Sequence, residues 1–285
     1  MDPSPGLFNP TKDIPQLTGK IILITGGYSG LGRQCALDLA SHGPAEIWIA
    51  GRNAEKAKGI ISTINSIAPA VSVNFLPLSL DSFASIQLAA KQFAAKVTRL
   101  DILILNAGIL HSPPRLTEDG YEVLFGTNQM GHALLFRLLT PLLLATSDLG
   151  IADASQSPNH NARVVFVSSD GHKHPPAGGI RFDLLKTEAN SLSAIARYGQ
   201  SKLANVLYAR EISTRFPLLT AVSLDPGPVK TQLHQRGGRG ATPLPFWIFE
   251  TFILPFVGKD VKKGVYNHLW AATSNDVVNG QYYEP

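Results

Sequence analysis

A phenol and an ammonium stand four residues apart in Tyr198-Gly199-Gln200-Ser201-Lys202, a spacing that puts both on one face of a helix. Tyrosine titrates near pH 10 in water, and a neighbouring cation favours its phenolate. Lowering that pKa by about three units takes roughly 4 kcal/mol, which two close cations in a partly dehydrated cleft can supply. Such a tyrosine exchanges a proton with an alcohol or ketone near neutral pH. Taken alone, the pair reads first as an ordinary exposed Tyr with a Lys one turn on. Two further polar groups invite attention: Ser168-Ser169 at the end of the apolar run Arg163–Val167, and Asn128 inside a long apolar helix.

The elements that must position these groups begin with Ile21-Ile22-Leu23-Ile24-Thr25-Gly26-Gly27-Tyr28-Ser29-Gly30-Leu31-Gly32. An apolar β-branched run suits a parallel strand buried on both faces, and the glycines permit close approaches that a Cβ blocks. The helix that follows, from about Leu31 to Ala40, turns free N–H groups and its positive dipole end toward an anion, so a diphosphate fits there. Further strands are expected at 45–50, 71–78, 100–105, 163–167, 220–224 and 280–283. Helices are expected at about 53–67 with Asn53 as N-cap, from Ser82 to about Val97, at 121–145 and at 194–216. Residues 146–161, rich in Ser, Asp, Asn and Pro, read as a surface loop. Alternating strands and helices predict an α/β fold, a single doubly wound Rossmann-type domain (19–285) with a mostly parallel central sheet. Residues 1–18 read as an extended arm. Ligands of such sheets bind beyond the carboxyl ends of the strands, where the glycine turn, Arg52, Asn106-Ala107-Gly108 and Ser168-Ser169 all fall.

Composition narrows the function. Of 285 residues, 44% are hydrophobic and 16% charged, ordinary for a globular chain with a covered sheet. The net charge of +4 and pI near 9.1 come from scattered basic residues without a stripe, which argues against nucleic acid. The single Cys35 excludes an internal disulfide and points to a reducing, cytoplasmic setting, with packing as its expected role. The apolar patch 246–257 is interrupted by Glu250 and Pro255 and is too short to cross a bilayer, so no membrane span is expected.

T-G-x-x-x-G-x-G, N-A-G, an Asn in a long helix, S-S and Y-x-x-x-K occur here in one order. Together they resemble the short-chain dehydrogenase/reductase family from about Gly19 to Gly227, and Ser201–Asn205 is similar to its retinol-dehydrogenase-like branch and to fungal short-chain reductases. The resemblance implies a catalytic set of Asn128, Ser169, Tyr198 and Lys202. In it Tyr198 is the general acid or base, Lys202 lowers the tyrosine pKa and holds the nicotinamide ribose, Ser169 orients the substrate oxygen, and Asn128 supports a water. It further implies cofactor contacts at Gly26, Tyr28, Ser29, Gly30, Leu31, Gly32, Asn106, Ala107, Gly108, Pro226, Gly227, Val229 and Thr231. It places Ser79 and Leu80 at the cofactor as well: they stand where most members carry Asp-Val or Asp-Leu against adenine, with the serine hydroxyl and the Leu80 backbone as the groups offered. Asp81 follows two places after Ser79.

The second strand ends in Ala50-Gly51-Arg52-Asn53, without the acid that reads a ribose 2′-hydroxyl. Arg52 is placed to pair with a 2′-phosphate, so NADPH/NADP+ is expected ahead of NADH. Aromatics Phe246, Trp247, Phe249, Phe252 and Phe256 follow the glycine-basic stretch 236–240 within 231–260, the family's substrate lid. They suggest a lipophilic small-molecule substrate, with helix packing or a dimer contact as the alternative. The histidines show no metal-ligand spacing. An NADPH-dependent carbonyl reductase is the leading reading. A dehydratase, isomerase or cyclase, or an NADPH-sensing module on the same scaffold, are the alternatives, and the resemblance leaves a homodimer or homotetramer open.

Overall fold

The computed structural model describes residues 8–152, 161–229 and 258–285. Among the described residues seven strands form one parallel sheet in the order β3-β2-β1-β4-β5-β6-β7. They are β1 (Ile21–Thr25), β2 (Glu46–Gly51), β3 (Ser72–Pro77), β4 (Ile102–Leu105), β5 (Arg163–Val167), β6 (Thr220–Leu224) and β7 (Tyr282–Tyr283). The helices are α1 (Pro10–Asp13), α2 (Gly30–Ala40), α3 (Ala54–Ile67), α4 (Phe83–Ala94), α5 (Val123–Phe125), α6 (Gly131–Ala152), α7 (Ala194–Arg215), α8 (Val261–Gly264) and α9 (Tyr266–Thr273). Successive side chains of a strand serve opposite faces. Ile22, Ile24, Ile47, Ile49, Ile102, Ile104 and Val165 join the core shared with α2, α3 and α9. Leu23, Trp48, Leu103, Leu105, Val164 and Phe166 join the core shared with α4, α6 and α7. The strand order reverses between β1 and β4, and the crevice over their carboxyl ends is the place such a sheet offers a ligand.

Several expectations need correction. Thr146 and Ser147 continue α6 instead of opening a loop. Their hydroxyls bond back to Leu142 and Leu143 carbonyls and accept the Leu100 and Ala162 amides, so their polarity is satisfied inside the fold. The arm is not wholly extended: Asn9 caps the helical turn α1, and Phe8, Ile14 and Leu17 are buried, Phe8 edge-on to Tyr266. The helix expected at 121–145 begins instead at Val123, where the Glu122 carboxylate accepts the Leu124 and Phe125 amides. It then passes through a π turn at Gly126–Met130. Among the described residues one helical stretch, Val123–Asp148, is long and apolar enough by composition to cross a membrane. Here Leu135, Phe136, Leu139 and Leu143 are buried in the core, which accounts for that composition. Cys35 is fully buried, and desolvation raises its thiol pKa well above the usual range, as a packing role requires.

Candidate active site

A cavity of about 710 Å³ opens over the carboxyl ends of the strands. Its first wall is the turn after β1. Gly26 has φ +68°, a left-handed conformation that favours glycine, and a Cβ on Gly32 would fall 2.5 Å from Asn106 Nδ2 and 2.7 Å from the Gly26 carbonyl. These glycines let α2 approach the β4 turn closely. Ser29 caps α2 by backbone geometry without a side-chain bond, and the helix N-terminus faces the cavity. The Tyr28 ring lies on Gly51 at the end of β2.

Gly26, Tyr28, Ser29, Gly30, Leu31, Arg52, Leu80, Asn106, Ala107, Gly108, Ser169, Tyr198, Lys202, Pro226, Gly227 and Val229 all line this cavity. Gly32, Ser79 and Asn128 do not line it. Gly32 serves the close packing just described. The Ser79 hydroxyl points instead to Asp81 Oδ1 at 2.5 Å, so it is Asp81 that meets the cavity, beside Arg52. Arg52 Nη1 lies 4.0 Å from Asp81 Oδ2. Thr231 and residues 231–257 of the expected lid lie outside the described residues.

At the other end of the cavity, Ser193 caps α7 by accepting the Ala196 amide, and the helix presents Tyr198 and Lys202 together. Ser169 Oγ accepts the Gly171 amide at 3.1 Å and hydrogen-bonds the Tyr198 phenol. The 3-10 turn Asp170–Lys173 leans on α7 at Gly171 and Gly199, where any Cβ would meet the Tyr198 ring or the His174 carbonyl. Lys202 Nζ donates to the Val167 carbonyl at 2.8 Å and stands 5.6 Å from the Tyr198 ring centroid. Asn128 is buried. Its Oδ1 accepts the Ile109 amide at 2.8 Å, and its Nδ2 donates to the Ile109 carbonyl and to Ser201 Oγ, both at 3.0 Å.

The electrostatics differ from the simple Tyr–Lys expectation. Burial raises the Tyr198 pKa above its ordinary value, the Ser169 hydrogen bond offsets only part of this, and the Asp225 charge adds to it. Burial also pushes Lys202 down to about 8, despite Asp225. The protein alone therefore keeps the phenol protonated, because desolvation outweighs the opposing Ser169 hydrogen bond. A buried ion pair that no local pattern in the sequence announces begins at the residue before Tyr198. Arg197 Nη1 meets Glu122 Oε1 at 2.9 Å and Arg197 Nη2 donates to the Ser112 carbonyl at 2.9 Å, fastening α7 to the 109–122 segment. The apolar side chains Leu110 and Ile195, with Arg115 and His174, complete the wall near Tyr198. Among the described residues no group of three or more His, Cys, Asp or Glu could hold a metal ion.

A family profile described as short chain dehydrogenase matches residues 20–182. An uncharacterized oxidoreductase of Schizosaccharomyces pombe is 36% identical over 278 residues, covering 95% of this chain and 78% of the relative. A short-chain dehydrogenase/reductase of Armillaria gallica is 34% identical over 281 residues, covering 96% and 84%. Among solved structures, a Shigella flexneri short-chain dehydrogenase complexed with NADP superposes with a TM-score of 0.69 at 21% identity, covering 94% of this chain and 98% of that one, a likeness of fold. With the parallel sheet, the glycine turn and the Ser169–Tyr198–Lys202 corner already described, these matches identify the chain as a member of the short-chain dehydrogenase/reductase family.

Proposed function

We propose that this oxidoreductase is an NADPH-dependent carbonyl reductase of the retinol-dehydrogenase-like branch, acting on a ketone or aldehyde carried by a bulky lipophilic frame. The observation that carries the reading is the buried Tyr198 phenol, bonded to Ser169 at one end of a cavity whose other end holds Arg52. A protonated phenol is the form a reduction needs, since it gives its proton to the carbonyl oxygen. Ser169 donates to that same oxygen, Lys202 supplies positive charge beside the phenol, and Asn128 holds the Ile109 backbone against Ser201, itself bonded to the Tyr198 carbonyl. The dinucleotide fits the residues present. Gly26 and Gly30 line the cradle without side chains, the α2 N-terminus faces a diphosphate position, and Arg52 offers a guanidinium to a 2′-phosphate. When bound, the nicotinamide supplies the hydride. Leu110, Ile195 and Val229 give the substrate an apolar wall.

Two measurements test this together. Titration with NADPH and with NADH, followed by energy transfer from tryptophan, is expected to show tighter NADPH binding. Tyr198→Phe is expected to abolish reduction of bulky ketones while leaving that binding intact. Undiminished turnover by Tyr198→Phe would reject the assigned proton donor, and product formed without net NADPH oxidation would favour a dehydratase, isomerase or cyclase.

A further inference from the structure

One buried polar link plays no part in the proton transfer assigned above. His132 lies in the first turn of α6, four residues beyond Asn128, with its side chain fully buried. Helical side chains lean back over the preceding turn, and its Nδ1 lies 3.0 Å from the Asn128 carbonyl. Its Nε2 lies 3.0 Å from Thr25 Oγ1 at the end of β1. Thr25 Oγ1 in turn accepts the Ala107 amide at 3.0 Å, and the Thr25 carbonyl accepts Asn106 Nδ2 at 2.9 Å.

These partners fix where each hydrogen sits. A carbonyl only accepts, so Nδ1 carries the ring proton. Burial keeps the imidazole neutral, its pKa pushed down to about 3, which leaves Nε2 as an acceptor. The Thr25 hydroxyl, which also has the Ile104 carbonyl at 3.5 Å, donates to the nearer Nε2 at 3.0 Å and takes the Ala107 N–H on its oxygen. Meanwhile the Asn128 side chain grips Ile109 by both its amide and its carbonyl. Residues 107–109 are thus enclosed by a ring of hydrogen bonds that leaves Ala107, passes through Thr25, His132 and the Asn128 backbone, and returns through the Asn128 side chain to Ile109.

We infer that His132 is a positioning residue that ties the Asn106–Gly108 wall of the dinucleotide cradle to Asn128, so that cradle and catalytic group hold one arrangement. The inference rests on the roles proposed for those two segments. A histidine that merely filled core volume would be replaceable by an apolar ring of like size. A link in this ring is not, because His132→Phe keeps the volume and breaks both bonds.

The test uses the full chain with NADPH as the probe, read by fluorescence energy transfer and by turnover. His132→Phe and Thr25→Val, each of which removes two links of the ring, are expected to weaken NADPH binding and lower turnover about tenfold, the size of one to two net hydrogen bonds. The double variant is expected to lose no more than the worse single, since both break one chain, and Thr25→Ser, which keeps the hydroxyl, to stay within about twofold of the unaltered protein. A second reading needs no variant: nitrogen NMR of the ligand-free protein is expected to find His132 neutral with the proton on Nδ1. Additive losses, lowered thermal stability with unchanged NADPH affinity and turnover, or a proton on Nε2 would overturn the inference while leaving the family chemistry standing. Failure of the unaltered chain to bind either dinucleotide would overturn both the proposed function and this inference.

Discussion

Replacing Asp81 by Asn is expected to sharpen the preference for NADPH. Asp81 Oδ2 lies 4.0 Å from Arg52 Nη1, and the Ser79 hydroxyl holds the other carboxylate oxygen. Two unit charges at that separation interact by about 1 kcal/mol in water and about 4 kcal/mol at an effective dielectric of 20. The Arg52 side chain is 59% exposed, so solvent screens the pair and the lower figure applies. A 2′-phosphate seated on Arg52 must displace this carboxylate and then stays within about a Debye length of it, roughly 8 Å at physiological salt. Removing the charge relieves about 1 kcal/mol, a factor of about five in affinity. NADH, without the phosphate, gains nothing and loses an acceptor. The assay is the ratio of the two dissociation constants from parallel fluorescence titrations of the unaltered and Asp81→Asn proteins. A ratio that stays level or moves toward NADH would refute the reasoning, and Arg52→Ala should move it toward NADH.

Gly32→Ala is expected to cost about 1–3 kcal/mol, since its Cβ would press into Asn106 Nδ2 and the Gly26 carbonyl; a thermal midpoint and an NADPH titration should both fall. Arg197→Met leaves the buried Glu122 carboxylate without its cation, held only by the Leu124 and Phe125 amides, and denaturant unfolding should show a loss of about 3–5 kcal/mol, much of it regained when Glu122→Gln is added. His132 and His268 are buried with pKa values pushed down to about 3, so the unfolded chain binds protons that the folded chain refuses between about pH 6.5 and 3. Stability should therefore fall with acidification across that window by about 1.4 kcal/mol per pH unit for each histidine, and replacing His268 by Asn should flatten the slope measured by denaturant unfolding. The lowered Lys202 pKa of about 8 acts in the alkaline range: the unfolded chain holds that proton up to about pH 10.4, so stability should rise with pH through this window, and Lys202→Met should remove the rise.

The strands, the glycine turn and most of the cavity wall were legible because they rest on local patterns: two-sided apolar runs, Gly spacing and capping residues. What escaped depends on contacts between distant segments. Glu122 and Arg197 are 75 residues apart, and neither has a periodicity that announces a partner. Asp81 was visible as an acid two residues past Ser79, yet only the fold turns it toward Arg52. Spacing alone correctly brought Tyr198 and Lys202 together, but the pKa of the phenol depends on how the 170–174 turn covers it, which spacing does not encode. Thr146 and Ser147 looked like loop residues by composition, because nothing local reveals that their hydroxyls serve the Leu100 and Ala162 amides. The π turn at Gly126–Met130 is hidden for a similar reason, since its residues read as ordinary helix until Asn128 must reach Ile109.

Placing β1 between β2 and β4 has a kinetic consequence. The β1–β2 half of the sheet closes over short stretches of chain, but β4 reaches β1 only after about eighty residues have been looped out, as the bond from Ile21 to the Asp101 carboxylate shows with its separation of 80. Such closures are entropically costly and slow. Neither half contains a whole cavity, because one wall follows β1 and the facing wall follows β4 and β5. Competence to bind a dinucleotide should therefore emerge late in refolding, after the early gain of helix signal, and ligand fluorescence would then time the joining of the two halves.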